Sequence, residues 1–357
     1  MTHHWDKVKI RARAIVHKLK SGMPAIRSHE TVVKLEGTSI NWRRYLYRDF
    51  EHIGWQHYRI SNPSGQVAVR SMLSAYELAL LRAVAQDHYQ GWGEIIDGGP
   101  LLGAGTNMLA KGLVANSQVK DKTKRIFSFD LFLRDEMGDT VSDVPDRTNS
   151  VFEQFMNVNR DYLEQIYISP GDLLRHRWRG APVEILFIDI AKSWDLNQWV
   201  LENWFSCLRP GSIVIQQDYV YFHQYWIHIT MEVFAEYLRP IDVVYGASRV
   251  YVCEKQIPAE LLVRRLKDIP LVEQLRYYDS AIENAPPSVA EVLKCAEAYC
   301  LLEHGAVDEA ERFLNTVRTD QVNPDHAQDF SEIARSNQQM VGRLIQSVRT
   351  AARDFAV

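Results

Sequence analysis

Between residues 94 and 253 short apolar runs alternate with helical segments, and the alternation ends in two strands too close together to enclose another helix. Glu94 to Asp97 (EIID), Arg125 to Asp130 (RIFSFD), Gln165 to Ser169, Val183 to Asp189 (VEILFID) and Ser212 to Gln217 (SIVIQQ) predict strands. Gly103 to Ser117, Ser150 to Leu163 and Leu196 to Leu208 predict helices between them. Nearly continuous apolar strands joined by helical crossovers specify a parallel sheet buried on both faces. Ile241 to Tyr245 and Arg249 to Cys253 are separated only by Gly246, Ala247 and Ser248. No crossover fits there, so these two strands pair as an antiparallel hairpin. The expected fold class is α/β: a Rossmann-like, mostly parallel sheet ending in an antiparallel hairpin.

The flanks read differently. At about 150 residues per domain, the 357 residues suffice for roughly two domains, or one with helical additions. Residues 1–70 form a basic, helical N-terminal region in this reading; Lys7, Lys9, Arg11, Arg13, Lys18 and Lys20 accompany Ile10, Ala14, Ile15 and Val16 at near-helical spacing. The first 20 residues predict a basic amphipathic helix, either solvated or resting on a membrane surface or acidic partner. Residues 71–90, with Leu73, Tyr76, Leu80 and Leu81 on one face, predict a core-facing helix. From Ile257 the strand signal stops. Ser288 to Leu302 and Asp308 to Val317 predict a tetratricopeptide-like helical pair, and Phe330 to Phe355 a terminal helix. Stacked repeats need about three copies to be stable, so this region predicts a packed appendage or a homo-oligomer contact. The division expected is 1–70, 71–256 and 257–357.

Composition removes several function classes. The net charge of −4 gives no global footprint for nucleic acid, and none is expected as a partner. Cys207, Cys253, Cys295 and Cys300 match neither a zinc ribbon nor a CxxC pair; a reducing, cytoplasmic setting is the plain expectation. No window approaches the roughly 20 apolar residues of a membrane span.

The most informative segment is GEIIDGGPLLGAGT, residues 93 to 106. Asp97 closes a strand, Gly98, Gly99 and Gly103 allow a sharp turn, and Thr106 lies in the first turn of a helix, fitting DxGxxxGxxT. Glycine permits close approach to the backbone, and a helix start offers unpaired amides and positive potential to a carboxylate. Asp97 offers negative charge to an ammonium, so a zwitterion would be held at both ends. Asp130, closing the next strand, could accept hydrogen bonds from a ribose diol; Asp172 in SPGDLL could accept from an adenine amino group. A partial GxGxxG at Gly103 and Gly105 is the rival, nicotinamide-binding reading, but Met108 stands where the third glycine belongs. A third reading makes the glycines a purely structural turn.

From about Leu73 to Glu254 the chain resembles the class I S-adenosylmethionine (SAM) dependent methyltransferases, in which a terminal antiparallel hairpin is characteristic. The resemblance implies that Asp97 and the glycine turn hold the methionine part, Asp130 the ribose and Asp172 the adenine. ILFIDIAKSWD (185 to 195) and LRPGSIVIQQDYV (208 to 220) are similar to the macrocin O-methyltransferase (TylF-like) group, which carries IDGDxY-like and PGGxxxxDDY segments and binds Mg2+ through strand-end carboxylates. Asp189, Pro210, Gly211, Asp218 and Tyr219 match. Ala191 and Gln217 replace aspartates of that pattern. The resemblance implies Asp189 and Asp218 as metal ligands; Gln217 could add one neutral oxygen, and the lost charge lowers affinity.

Methyl transfer to a hydroxyl needs a proton acceptor. His223, five residues after Asp218, titrates near neutrality; its alternative is a half-buried place in an aromatic helix. Asp189 and Asp218 are the other candidates. The aromatic run from Tyr219 to Tyr237 either covers a flat acceptor or fills core. The expected function is SAM-dependent O-methylation of a small molecule or carbohydrate. The second expectation is a degenerate relative that serves as a binding or scaffold partner.

Overall fold

The computed structural model describes residues 40–54, 56–133, 150–244, 247–319 and 330–354; the basic helix expected over the first 20 residues lies outside them. The described chain forms two compact units: residues 40–219 with 233–267, and residues 220–232 with 268–354. Among the described residues no helix is long and apolar enough to cross a membrane.

The first unit opens with a departure from expectation. Where a helical region was expected, Phe50–Gly54 (β1), His57–Asn62 (β2) and Gly65–Arg70 (β3) form an antiparallel meander. The cause is period-two alternation: Tyr58 and Ile60 are buried while Arg59 and Ser61 are not, and only a strand puts alternate residues on one face. Gly65, with φ at +125°, closes the β2–β3 turn. Neighbouring basic residues are held in place. Arg43 lies over the Trp42 ring, Arg44 over that of Tyr45, and Arg82 pairs with Asp49 at 2.9 Å.

Glu94–Gly98 (β4), Ile126–Asp130 (β5), Ile166–Pro170 (β6), Val183–Ile188 (β7), Leu208–Gln216 (β8), Leu238–Val244 (β9) and Ser248–Cys253 (β10) build one sheet in the order β6-β5-β4-β7-β8-β10-β9. All pairings from β6 to β8 are parallel, and β10 runs antiparallel to both β8 and β9. This is the Rossmann-like sheet with a terminal hairpin, the fold class expected. Every residue of β4 and of β7 is buried, as both-face coverage requires. Ala75–Ala83 (α1) follows the meander, capped by a Ser74/Glu77 capping box. Ala104–Ala115 (α2), Phe152–Asn159 (α3) and Trp194–Asn203 (α4) are the crossovers. The strand order reverses between β4 and β7, and in open α/β sheets ligands bind beyond the carboxyl ends of strands at such a point.

The second unit collects Trp226–Val233 (α5) up to residue 232, then, after the short Ala259–Leu262 (α6) of the sheet unit, Leu271–Glu283 (α7), Pro287–Glu303 (α8), Val307–Leu314 (α9) and Ser331–Asp354 (α10). The expected pair and terminal helix are α8, α9 and α10. Val292, Leu293, Cys295, Ala296, Ala298 and Cys300 on α8 are fully buried, and alanines such as Ala310 and Ala334 allow close crossings. Helix α7 carries no strong signal, because only Gln274, Tyr278 and Ala281 of it are buried. The sequence division placed residues 220–232 with the sheet; here they belong with the helices. Phe222 and Tyr225 stack on Tyr299 at 5.1 and 6.0 Å, and Asn337 Nδ2 donates to the Val220 carbonyl at 2.9 Å.

Candidate active site

Strand β4 delivers Asp97 to its carboxyl end with no solvent exposure. Thr106, in the first turn of α2, donates its hydroxyl to Asp97 Oδ2. The other oxygen, Oδ1, has no hydrogen-bond partner among the described residues. Burial pushes this carboxyl up to about 7; the Thr106 bond opposes that shift, while nearby Asp189 and Asp130 add to it. A buried acceptor without a donor is costly, and a cationic donor is the chemistry that would relieve it. Helix α2 begins at Gly103 with no side-chain cap among the described residues, and the first amides of a helix have no partner within it.

The turn glycines are required by the protein's own packing. Gly99 has φ at +94°, and a Cβ there would stand 2.6 Å from the backbone oxygen of Asp189. Gly103 has φ at +89°, and its Cβ would meet Asn159 Nδ2 at 2.2 Å. A Cβ on Gly98 would lie 2.9 Å from the Trp204 ring. The turn is therefore a close joint between β4, β7 and α3. Gly99→Ala adds a left-handed penalty of about 1–2 kcal/mol and overpacking of about 1–3 kcal/mol. The expected loss is about 2–5 kcal/mol, read from the urea midpoint, because the clashing atom is backbone.

Asp130 sits at the end of β5 as expected, but it is already engaged. Its Oδ2 accepts from Leu101 N at 2.8 Å and its Oδ1 from Phe132 N at 2.7 Å. Both residues are non-glycines in left-handed backbone, with φ at +49° and +52°. Burial raises the Asp130 carboxyl, and the two amides with Lys192 counter that only in part. Any ribose contact would use the second lone pair of each oxygen. Asp172 is half-exposed; it accepts from Leu174 N at 3.0 Å as the cap of a short helical turn and lies 3.5 Å from Arg175.

At the ends of β7 and β8, Asp189 and Asp218 are joined by a residue that sequence reading passed over. The Lys192 ammonium donates to Asp189 Oδ1 and to Asp218 Oδ2, the latter at 2.5 Å. The Lys192 side chain is 44% exposed, and its ammonium lies between the two carboxylates. Burial of the ammonium lowers its pKa, and Asp189 and Asp218 more than reverse this, so the group stays protonated above the usual lysine value. Asp218 is buried and holds φ at +63°, a conformation aspartate tolerates better than most residues. The signal for Lys192 was its place three residues after Asp189, in the loop where a strand-end carboxylate needs a counter-charge.

Mg2+ requires an octahedron of oxygens. The two carboxylates expected to supply it are bridged by an ammonium, Ala191 presents a methyl group, and no group of three or more His, Cys, Asp or Glu among the described residues could hold a metal. The donor set does not fit the ion. Gln217, expected as an extra oxygen ligand, is buried with Oε1 unpartnered among the described residues.

Glu77, also passed over, is fully buried on α1. It accepts from Ser74 N at 2.8 Å, Ala247 N at 3.1 Å and Ser248 Oγ at 2.7 Å, fastening the helix to the β9–β10 hairpin. Burial raises its carboxyl to about 7; its hydrogen bonds lower it, and Asp189 raises it further. Asp130, Asp189 and Asp218 thus lie within electrostatic reach of Lys192, and Glu77 and Asp97 within reach of Asp189. His223 is half-buried on a short turn of the second unit, its ring beside those of Tyr221 and Phe222. In the aromatic run beyond Val220, Phe222, Tyr225 and Phe234 are buried, while Tyr221, Trp226 and Tyr237 are half-buried.

No protein-family model and no curated protein sequence matches the chain. Solved structures with partial similarity include CalS11, a calicheamicin methyltransferase, at 15% identity and a TM-score of 0.38 over 49% of this chain and 78% of that one. The O-methyltransferase NovP overlaps at 17% identity and a TM-score of 0.42, over 52% and 82%. An O-methyltransferase from Bacillus cereus in complex with SAH overlaps at 15% identity and 0.34, over 50% and 82%. With likeness this low, the functional reading rests on the chain's own residues.

Proposed function

We propose that this chain binds SAM at the β4–β7 switch point and transfers its methyl group to a hydroxyl of a small molecule or carbohydrate. The observation that carries the reading is Asp97: a fully buried carboxylate at a strand end beside the start of α2, with one oxygen unpartnered and no side-chain cap on the helix among the described residues. Asp97 would take the α-ammonium of the methionine part and the first amides of α2 its carboxylate. The acids around Lys192 favour a ligand of net positive charge. When bound, SAM supplies an electrophilic methyl group on a sulfonium. Asp218 or Asp189 would accept the acceptor hydroxyl's proton, with Lys192 fixing both carboxylates; alignment supplies much of the acceleration. Peripheral contact of the basic N-terminus with a membrane and self-association through the helical unit are further parts of this proposal.

Calorimetry with SAM, its demethylated product and NAD tests the class. Saturable one-to-one heat is expected with the first two and none with NAD; no heat with either of the first two overturns the reading. Asp218→Asn should lower turnover by roughly 10²–10⁴-fold, the range of a lost proton acceptor, with SAM affinity kept. Full turnover in that variant removes Asp218 from the chemistry. Two observations favour the second reading, a SAM-fold scaffold without activity: both Asp130 oxygens are used by backbone amides, and Lys192 closes the carboxylate pair.

A further inference from the structure

Asp189 and Asp218 stand at the ends of adjacent strands, and two carboxylates converging at a half-buried edge need positive charge between them. That charge is supplied from within the chain. The segments around these residues lack aspartates at 191 and 217, and in the same stretch Lys192 brings an ammonium that donates to both remaining carboxylates. Ala191, 2% exposed, leaves a methyl group where a further oxygen ligand would stand. The loss of two acids lowers the negative charge of the centre, and the one tethered cation neutralises half of what the two remaining carboxylates carry.

We propose that the Lys192 ammonium occupies the place of a divalent cation, so that Asp189, Lys192 and Asp218 form a self-contained centre that takes up no metal. A tethered ammonium is present in every folded molecule and needs no recruitment from solution. A divalent ion would have to displace it from two charge-assisted hydrogen bonds and would find, among the described residues, no cluster of three or more His, Cys, Asp or Glu, where Mg2+ demands a full oxygen octahedron. The inference goes beyond methyl transfer, because it concerns the occupant of the centre whatever reaction takes place there.

The test is Mn2+ titration of the full-length chain followed by the loss of the free-ion electron paramagnetic resonance signal. The parent protein should show no saturable uptake up to millimolar Mn2+. Lys192→Met, which keeps the stem and removes the charge, should bind at least tenfold more tightly, and the added substitution Asp218→Asn should abolish that uptake. Saturable uptake by the parent that Asp218→Asn removes overturns the proposal and needs no unfolded-prone variant for its reading. Absence of uptake by a Lys192→Met protein that still melts cooperatively overturns it too. Turnover of the parent, where a methyl acceptor is found, should survive chelation by EDTA; this arm alone depends on the proposed activity, so its failure is separable from the binding result.

Discussion

Asp97→Asn should weaken SAM binding by roughly 10- to 150-fold, the cost of a charge-assisted hydrogen bond at about 1.5–3 kcal/mol with 1.4 kcal/mol per decade. An asparagine oriented to keep the Thr106 bond turns its amide nitrogen toward the place of the unpartnered Oδ1, where it repels an ammonium. Stability separates this from damage. Asp97 stands near 3.8 when exposed and about 7 when folded. Its contribution to stability is thus full below about pH 4 and is lost as pH rises through about 7. Above that pH the folded parent carries a buried, half-satisfied charge, and the ligand-free variant should melt no lower than the parent.

The same shift predicts proton release on binding, because a cationic partner favours the ionised form. At pH 6, one unit below the folded value, roughly nine-tenths of a proton should leave per ligand; at pH 8 almost none should. Calorimetry in two buffers of different ionisation enthalpy measures this. Equal heats in both buffers at pH 6 would show that Asp97 does not meet the ammonium.

Asp130→Ala should cost about 2–4 kcal/mol of stability. It strands two backbone N–H groups, each worth roughly 1–3 kcal/mol when buried and unpaired, with the smaller value for the half-buried Leu101. It also releases two left-handed residues that the carboxylate holds, Leu101 in the turn after β4 and Phe132 just past β5. Denaturant unfolding reads the loss directly. Unchanged stability would mean that the amides find water, and would return Asp130 to a role in ligand binding alone.

The sheet was legible because its strands are apolar on both faces and because three residues between two β-rich runs exclude a crossover. The meander was not, because the positive charge of residues 1–70 masks the alternation of Tyr58 and Ile60 with Arg59 and Ser61. The acids at strand ends were legible in position. Their partners were not: a sequence shows Asp130 at a strand end but not the Leu101 and Phe132 amides that reach it across a turn. Lys192 escaped for a related reason. Its partners Asp189 and Asp218 follow the ends of different strands, and the β7–β8 pairing brings them within reach of one ammonium. Glu77 was read as part of a core-facing helix; its service to the hairpin depends on Ala247 and Ser248, far along the chain.

The excursion of residues 220–232 into the helical unit bears on how the chain is made. On a ribosome, Phe222 and Tyr225 emerge well before Tyr299, the side chain on which both rings stack. Through that interval the nascent polypeptide carries an aromatic stretch with its cover still unsynthesised, a natural client for a holdase. A stop codon placed at residue 257 would make the interval permanent, so the truncated product is expected in inclusion bodies.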